Sequence, residues 1–417
     1  MYVVEDKGGA IALMLASLFF LGTWPAFLTL LERRGRLPQH TYLDYSITNL
    51  LVAVLIALTV GQLGDSKTDM PNFFTQLTQD NWPSVLFALA GGVFLSLGNL
   101  ATQYALAFLG LSVTEIITAS ITVVIGTTVN YFLDNRINKA EILFPGVGCF
   151  LVAVCLGSAV HSSISADNEN KLSGSSSNSK CTFWTEGNHD GSKYALYEEI
   201  GGFVEDGAPN GTDYNLNVQT EEAGTAEFLV QLENRRSIKV LGSDAFLGLS
   251  IAFCAGICFS LFSPAFNLAT NDQLHTLKEG VPHLVVYTAF FYFSISCFII
   301  GVGLNIWFLY NPVLGLPRSS IKAYLKDWNG REFALFAGLV CGLGNGFQFM
   351  GGQAAGYAAA DSVQALPLVS TFWGILLFGE YRRSSRKTYV LLVSMLFMFI
   401  VAVIVLMASS GQRKTLK

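Results

Sequence analysis

Charged side chains are scarce in this chain of 417 residues, since Asp, Glu, Lys and Arg make up only 13% of it. Soluble proteins average about 25%, so a water-facing enzyme of two or three domains is excluded. The net charge of −5 is small, and no basic patch is dense enough to bind nucleic acid. Six of the seven Cys lie in apolar runs, so a disulfide framework is not expected.

Hydrophobic residues are abundant at 52%, and they form ten runs long enough to cross a bilayer as helices, about 20 residues each. The run between residues 84 and 133 is too long for one crossing, and Gly110 offers the only turn within it. The sequence therefore predicts an all-α integral membrane protein. Its ten predicted transmembrane helices lie near 9–31, 43–61, 84–107, 110–133, 142–160, 245–268, 285–310, 333–353, 357–379 and 388–408.

The composition changes abruptly between the fifth and sixth spans. Residues 162–242 are rich in Ser, Asn, Gly and Glu and carry 13 acidic and 6 basic residues. Such a segment buries little apolar surface, so we expect a mostly disordered loop. The chain then divides into a five-helix unit at 1–161, the hydrophilic loop at 162–242 and a second five-helix unit at 243–417.

Basic residues predict how the spans are oriented. If the spans alternate, one face receives 17 of the 25 Lys and Arg residues, including six in the central loop, and the other face receives 8. The positive-inside rule places the richer face in the cytoplasm. Both termini are then predicted outside and the 162–242 loop inside.

The second half of the chain repeats the first at an offset of 246 residues. Positions 87–136 and 333–382 share twelve identities in fifty, and Glu115 and Asp134 align with Asp361 and Glu380. Other matches are Gly98-Asn99 with Gly344-Asn345, Gly110 with Gly356, and Arg136 with Arg382. Because each unit has an odd number of spans, the two units must be inverted relative to each other. Two inverted repeats with a site between them are typical of secondary transporters.

Two acidic residues lie inside predicted spans at matched positions of the repeat. Glu115 is about 7 Å from the start of span four at 1.5 Å per residue, and Asp361 lies at the same depth from the opposite face. Intramembrane acids often gate, bind or exchange protons. The alternative is a pair of interfacial carboxylates near helix N-termini, which favour negative charge. Both interpretations stay open.

Amide side chains are the candidate ligands for a substrate. Asn99, Gln103, Asn345 and Gln348 lie in spans three and eight, and their donors and acceptors suit a neutral ring with C=O and N–H groups. They could equally link helices.

Trp24 lies beside Pro25, which matches Pro264 in the other half; these prolines predict a paired helix break. Trp24 could stack on a flat substrate or simply pack.

Several other functional motifs are missing. Residues 187–193 lack the Gly-Lys-Ser/Thr of a phosphate loop, and neither zinc spacing nor a protease signature is present, so no metal, cofactor or catalytic residue is predicted. Residues 197–200, from Tyr197 to Ile200, resemble a tyrosine-based sorting signal. Asn210 begins a glycosylation motif that the predicted topology places in the cytoplasm.

Longer motifs resemble those of plant ureide permeases, over essentially all of the chain outside 162–242. They are residues 1–10, Gly22-Thr23-Trp24-Pro25-Ala26-Phe27, His40-Thr41-Tyr42-Leu43-Asp44-Tyr45-Ser46 and residues 96–104. Phe378-Gly379-Glu380 is similar to the span-nine ending of the wider drug/metabolite transporter superfamily. The resemblance implies proton-coupled uptake of allantoin, uracil and xanthine at the plasma membrane.

Two other functions are weighed against this one. A sugar or nucleotide-sugar carrier could share the fold, but phosphates would demand a buried Lys or Arg, and none lies inside the ten predicted spans. The second is a membrane sensor that recruits partners through its central loop, but a sensor would not need an inverted repeat.

Overall fold

The computed structural model describes residues 4, 6–64, 66, 70–178, 235, 236, 238 and 245–411. Every regular element in this part of the chain is helical, and ten helices are long and apolar enough to cross a membrane. The predicted all-α membrane protein with ten spans is therefore confirmed. The first half contains α1 (Lys7–Arg33), α2 (Pro38–Leu58), the short α3 (Phe73–Leu77), α4 (Trp82–Leu109), α5 (Leu111–Leu133) and α6 (Ala140–Asn178). The second half contains α7 (Ala245–Asn271), α8 (Val286–Tyr310), the short α9 (Ile321–Lys326), α10 (Arg331–Ala355), α11 (Tyr357–Ala360), α12 (Pro367–Phe378) and α13 (Arg386–Ala408).

Helix α6 is longer than the sequence indicates. Its membrane-spanning part ends at Ile164, but the helix continues to Asn178. The predicted start of the loop at residue 162 therefore lies inside a helix, because Ser and Asn lower helix propensity without forbidding a helix. The sorting-signal candidate at 197–200 and Asn210 lie outside the described residues.

The ninth crossing is broken after its first turn. Helix α11 gives way to a 3₁₀ turn at Asp361–Gln364, and α12 begins at Pro367. Proline suits a first helical turn because its missing N–H needs no partner there. The predicted break at Pro25 and Pro264 is wrong, since α1 and α7 run through both prolines without interruption.

Helices of one half pack against those of the other in matched pairs. Helix α4 lies along α7 as α10 lies along α1, and α2 packs on α10 as α8 packs on α4. The repeated glycines make the closest pairs possible: a Cβ on Gly98 would lie 2.5 Å from Phe259 on α7, and one on Gly344 would lie 2.6 Å from Leu21 on α1. If each helix is replaced by its counterpart in the other half, the same set of packed pairs results. This is the pattern expected of the inverted repeat.

Two glycines join consecutive helices at equivalent places. Gly110, between α4 and α5, has φ = 79°, and Gly356, between α10 and α11, has φ = 98°. Both angles are strained for any residue with a side chain. Glycine therefore occurs at both positions of the repeat because each requires a positive φ angle.

The bundle has two ends, which we name after one residue each. The Arg36 end carries the last turn of α1 and the first turns of α2 and α10, and the Tyr357 end carries the last turn of α10 and the start of α11.

Candidate functional site

A phenol in the middle of the bundle gathers three of the residues that the sequence singles out. Tyr45 on α2 accepts a hydrogen bond from Asn99 Nδ2 at 2.9 Å and donates one to Cys341 Sγ at 3.0 Å. Asn345 Nδ2 donates to the same sulfur at 3.4 Å. The Trp24 ring lies 5.5 Å from the Tyr45 ring, centroid to centroid. We call these five residues the Tyr45 cluster; all are at least 95% buried.

The Tyr45 cluster has the chemistry to hold a flat polar ring. Its members come from α1, α2, α4 and α10, and therefore from both halves of the chain. Tyr42 adds a second phenol ring 5.0 Å from that of Tyr45. Aromatic faces stack on planar rings, and amides offer both a donor and an acceptor to ring N–H and C=O groups.

The two predicted glutamines lie one turn from the cluster asparagines on the same helices. Gln103 follows Asn99 on α4, and neither of its amide atoms has a hydrogen-bond partner among the described residues. Gln348 follows Asn345 on α10; its Oε1 accepts from Gln364 Nε2 at 3.2 Å, and its own Nε2 is unpaired in that part of the chain. Unpaired buried amides are costly, so these side chains have capacity left for a polar ligand.

Asp361 lies at the start of the 3₁₀ turn that interrupts the ninth crossing. It is fully buried, and its Oδ2 accepts a hydrogen bond from Asn130 Nδ2 of α5 at 2.8 Å. The same Asn130 nitrogen donates to Ser263 Oγ of α7 at 2.8 Å. The carboxyl group thus lies buried inside the bundle, between helices of the two halves.

Glu115 is also buried, at 2% exposure, and makes no side-chain hydrogen bond or ion pair with the described residues. The structure does not bring it to Asp361. Asp361 contacts Asn130, which follows Glu115 along α5 by a distance of about 22 Å at 1.5 Å per residue. The two acids therefore serve separate places in the bundle.

Charged residues close the Arg36 end. Arg36, whose side chain is fully buried, contacts Asp44 at 2.5 Å, and Arg331 contacts Asp44 at 3.2 Å. His40 Nδ1 lies 2.7 Å from the Asp327 carboxylate. Burial alone would raise the pKa of Asp327, but the His40 hydrogen bond and the Arg36 charge together lower it. These contacts tie the start of α2 to the segment before α10.

Asp134 and Glu380 lie at the ends of the fourth and ninth crossings. Each of these acids contacts the first turn of the other crossing. Asp134, at the end of α5, accepts the Tyr357 backbone N–H of α11 at 2.7 Å. Glu380, at the end of α12, accepts the Ser112 hydroxyl of α5 at 3.0 Å and pairs with Arg33 at 3.2 Å. The two halves thus share these acids and also the kind of contact that each acid makes.

A cavity of about 840 Å³ lies beside Arg33, Arg34 and Glu380 at the Arg36 end. Its apolar wall includes Leu376 and Leu377, which are 62% and 48% exposed on the outer side of α12. Because none of the Tyr45 cluster lines it, this cavity is not a route to the predicted substrate residues.

Several residues of the site were not predicted from the sequence. Tyr45 and Cys341 were missed, because a phenol and a thiol in an apolar run look like packing residues. Asn130 was missed although it is a polar residue within a span, the same signal that singled out Asn99. Asn130 has no counterpart in the repeat, where Leu376 occupies its position.

Comparison with known proteins gives one consistent result. The family model for ureide permeases matches residues 41–409. Ureide permease 2 of Arabidopsis thaliana is 69% identical over 415 residues, 99% of this chain and 100% of that protein. Ureide permeases 1 and 5 of the same plant are 68% and 64% identical, over 99% of this chain and 100% and 97% of their own lengths. With its ten apolar helices and these motifs, the chain belongs to the ureide permease family.

Proposed function

We propose that this protein is a secondary transporter, not an enzyme, that imports allantoin and related oxo-nitrogen heterocycles such as uracil and xanthine together with protons. The Tyr45 cluster is the observation that carries the proposal. It combines aromatic faces with Asn99 and Asn345 at the junction of the two halves. The names of the relatives point to ureides as the substrate class.

Alternating access is the proposed mechanism, in which helices packed across the two halves rearrange around the substrate. The Tyr45 cluster lies between two closed ends. Ion pairs around Asp44 and Asp327 close the Arg36 end. Towards the Tyr357 end, Phe266 of α7 stacks on Phe349 of α10 at 3.6 Å. Opening either end in turn would expose the cluster to one side of the membrane.

Proton coupling is assigned to Asp361, with Glu115 as a second acid for release or gating. A neutral substrate gains nothing from the membrane voltage, so its accumulation needs a co-transported charge. Both acids are buried, and neither forms an ion pair with any described residue. A carboxyl group without a fixed cationic partner is free to take up and release a proton.

The proposed setting is the plasma membrane, with the Arg36 end in the cytoplasm. The richer share of basic residues supports this orientation, which puts both termini outside and the 162–242 segment inside. Sorting machinery that reads Tyr197–Ile200 is a proposed partner on that side. The lipid bilayer surrounds the ten spans.

Uptake of radiolabelled allantoin into yeast lacking its own permeases tests the proposal. We expect uptake that rises as the external pH falls, and competition by uracil and xanthine but not by glucose. Competition by sugars alone would support the metabolite carrier instead. Absence of allantoin uptake by protein that has reached the cell surface would reject the proposed substrate.

A further inference from the structure

The Asp361 carboxyl group receives a hydrogen bond on one side only. Asn130 Nδ2 donates to Oδ2 at 2.8 Å. Oδ1 is buried and has no partner among the described residues. Asp361 Oδ2 is therefore held by a hydrogen bond, whereas Oδ1 is free to hold a proton.

Asn130 is itself held in one orientation. Asn267 Nδ2 donates to Asn130 Oδ1 at 3.1 Å, so the Asn130 nitrogen must point towards Asp361 and Ser263. Asn271 Nδ2 and Gln273 Nε2 in turn donate to Asn267 Oδ1, each at 2.7 Å. The amides thus form a line from the half-buried end of α7 to the fully buried carboxyl group.

Every donor in this amide line points towards Asp361. Hydrogen bonds arranged in one direction polarise one another, and donors aimed at a carboxylate favour its charged form. Asp134, at the end of α5, lies one turn beyond Asn130 and is a charged neighbour of Asp361. The amide line thus presents a donor to Asp361, whereas Asp134 brings a second negative charge near it.

We propose that Asn130 is a positioning residue that sets how tightly Asp361 holds the coupling proton, and that Asn267 fixes Asn130 for this role. The proposal rests on the assignment of Asp361 as the coupling acid. Without the Asn130 donor, the carboxyl group would keep its proton to higher pH and release it more slowly. The amide line makes release possible at the pH of the cell interior.

The pH profile of uptake tests this, using the full-length protein in liposomes with labelled allantoin and an imposed pH gradient. We expect Asn130→Leu to move the pH of half-maximal uptake upward by about one to two units, since a hydrogen bond to a charged group is worth that much. Maximal uptake should fall because release is slowed. Asn267→Leu should shift the midpoint in the same direction by less, because Asn130 remains but is free to turn.

Asn305→Leu is the matched control. Asn305 is a fully buried asparagine whose amide donates to the Gly301 carbonyl of its own helix, α8, so its loss should leave the midpoint unchanged. If Asn130→Leu does not reach the membrane, Asn267→Leu decides the question. Wild-type midpoints in whichever of Asn130→Leu and Asn267→Leu do insert would overturn the proposal. Uptake by the wild type that is independent of pH would instead reject proton coupling itself.

Discussion

At the scale of single residues, the buried asparagines fall into two groups with different hydrogen-bond partners. Asn99 and Asn345 both meet the Tyr45–Cys341 pair, whereas Asn130 meets Asp361. Most buried amides have hydrogen-bond partners. In the proposed mechanism the first two bind substrate, and the third acts on the coupling acid.

The substrate contact gives the first prediction. Asn99→Leu and Asn345→Leu should each raise the KM for allantoin roughly two- to tenfold, because a hydrogen bond to a neutral group contributes about 0.5–1.5 kcal/mol. Maximal uptake per molecule at the surface should change little. Uptake kinetics normalised to surface protein measure both quantities. Asn305→Leu again serves as control, and a fall in surface protein without a change in KM would show that the asparagines only join helices.

Single residues also show where sequence reasoning falls short. Asn99, Asn345 and Trp24 were predicted separately, and the structure brings them together around Tyr45. Nothing in the spacing of these residues connects α1, α2, α4 and α10, since such contacts depend on how whole helices pack. Polarity within a span is readable from sequence, but the partner of each polar group is not.

At the scale of helices, the reciprocal contacts at the ends of the fourth and ninth crossings are the main finding. Asp134 holds the first N–H of α11, and Glu380 holds Ser112 near the start of α5. Each acid lies two residues before an Arg in the sequence, a spacing that by itself indicates no more than a charge arrangement at a helix end. The structure shows that each acid links its own crossing to the equivalent one in the other half.

These contacts should differ in strength. Asp134→Ala should destabilise the protein by about 1.5–3 kcal/mol, the usual worth of a hydrogen bond to a charged group. Glu380→Ala should cost less, because the Glu380 side chain is 19% exposed and water partly screens its ion pair with Arg33. Thermal unfolding of both variants in detergent measures the difference. Equal melting temperatures for Asp134→Ala and the wild type would contradict the structural role of this cap.

Most helices could be predicted, but their irregularities could not. The ten spans follow from the lengths of apolar runs, and Gly110 was identified as a turn. The break at Asp361–Gln364 was placed instead at Pro25 and Pro264. A proline in a span removes one hydrogen bond, and neighbouring groups can compensate within a continuous helix. Conversely, a break can form at residues such as Asp361 and Ser362, which have no strong signal of their own.

For the whole molecule, the distribution of basic residues is the basis of the proposed orientation in the membrane. The Arg36 end carries the Arg33, Arg36 and Arg331 ion pairs, and the positive-inside rule places that end in the cytoplasm. A tag inserted between residues 179 and 234 should therefore be inaccessible to antibody in intact cells and accessible after permeabilisation. Asn210 should carry no glycan. A mobility shift that Asn210→Gln abolishes would reverse the orientation.

Coupling belongs to the scale of the whole molecule, because it requires substrate binding, proton transfer and a change of conformation together. One proton moving through about 100 mV supplies roughly 2.3 kcal/mol, and each pH unit adds about 1.4 kcal/mol. Together they would support accumulation of roughly 500-fold. Asp361 is the favoured carrier, since in the proposed orientation its crossing starts at the outer, more acidic side, where proton loading begins.

Asp361→Asn should therefore abolish concentrative uptake while some exchange of labelled for unlabelled allantoin remains. The amide keeps the size of the side chain and its contact with Asn130, and exchange needs only substrate binding and rocking. Glu115→Gln should slow net uptake, because release or gating on the inner side would be impaired. Both activities can be measured in the same proteoliposomes, with an imposed pH gradient for uptake and equal internal and external substrate for exchange. If both variants still concentrate allantoin with the wild-type dependence on pH, neither acid carries the proton, and their burial serves packing alone.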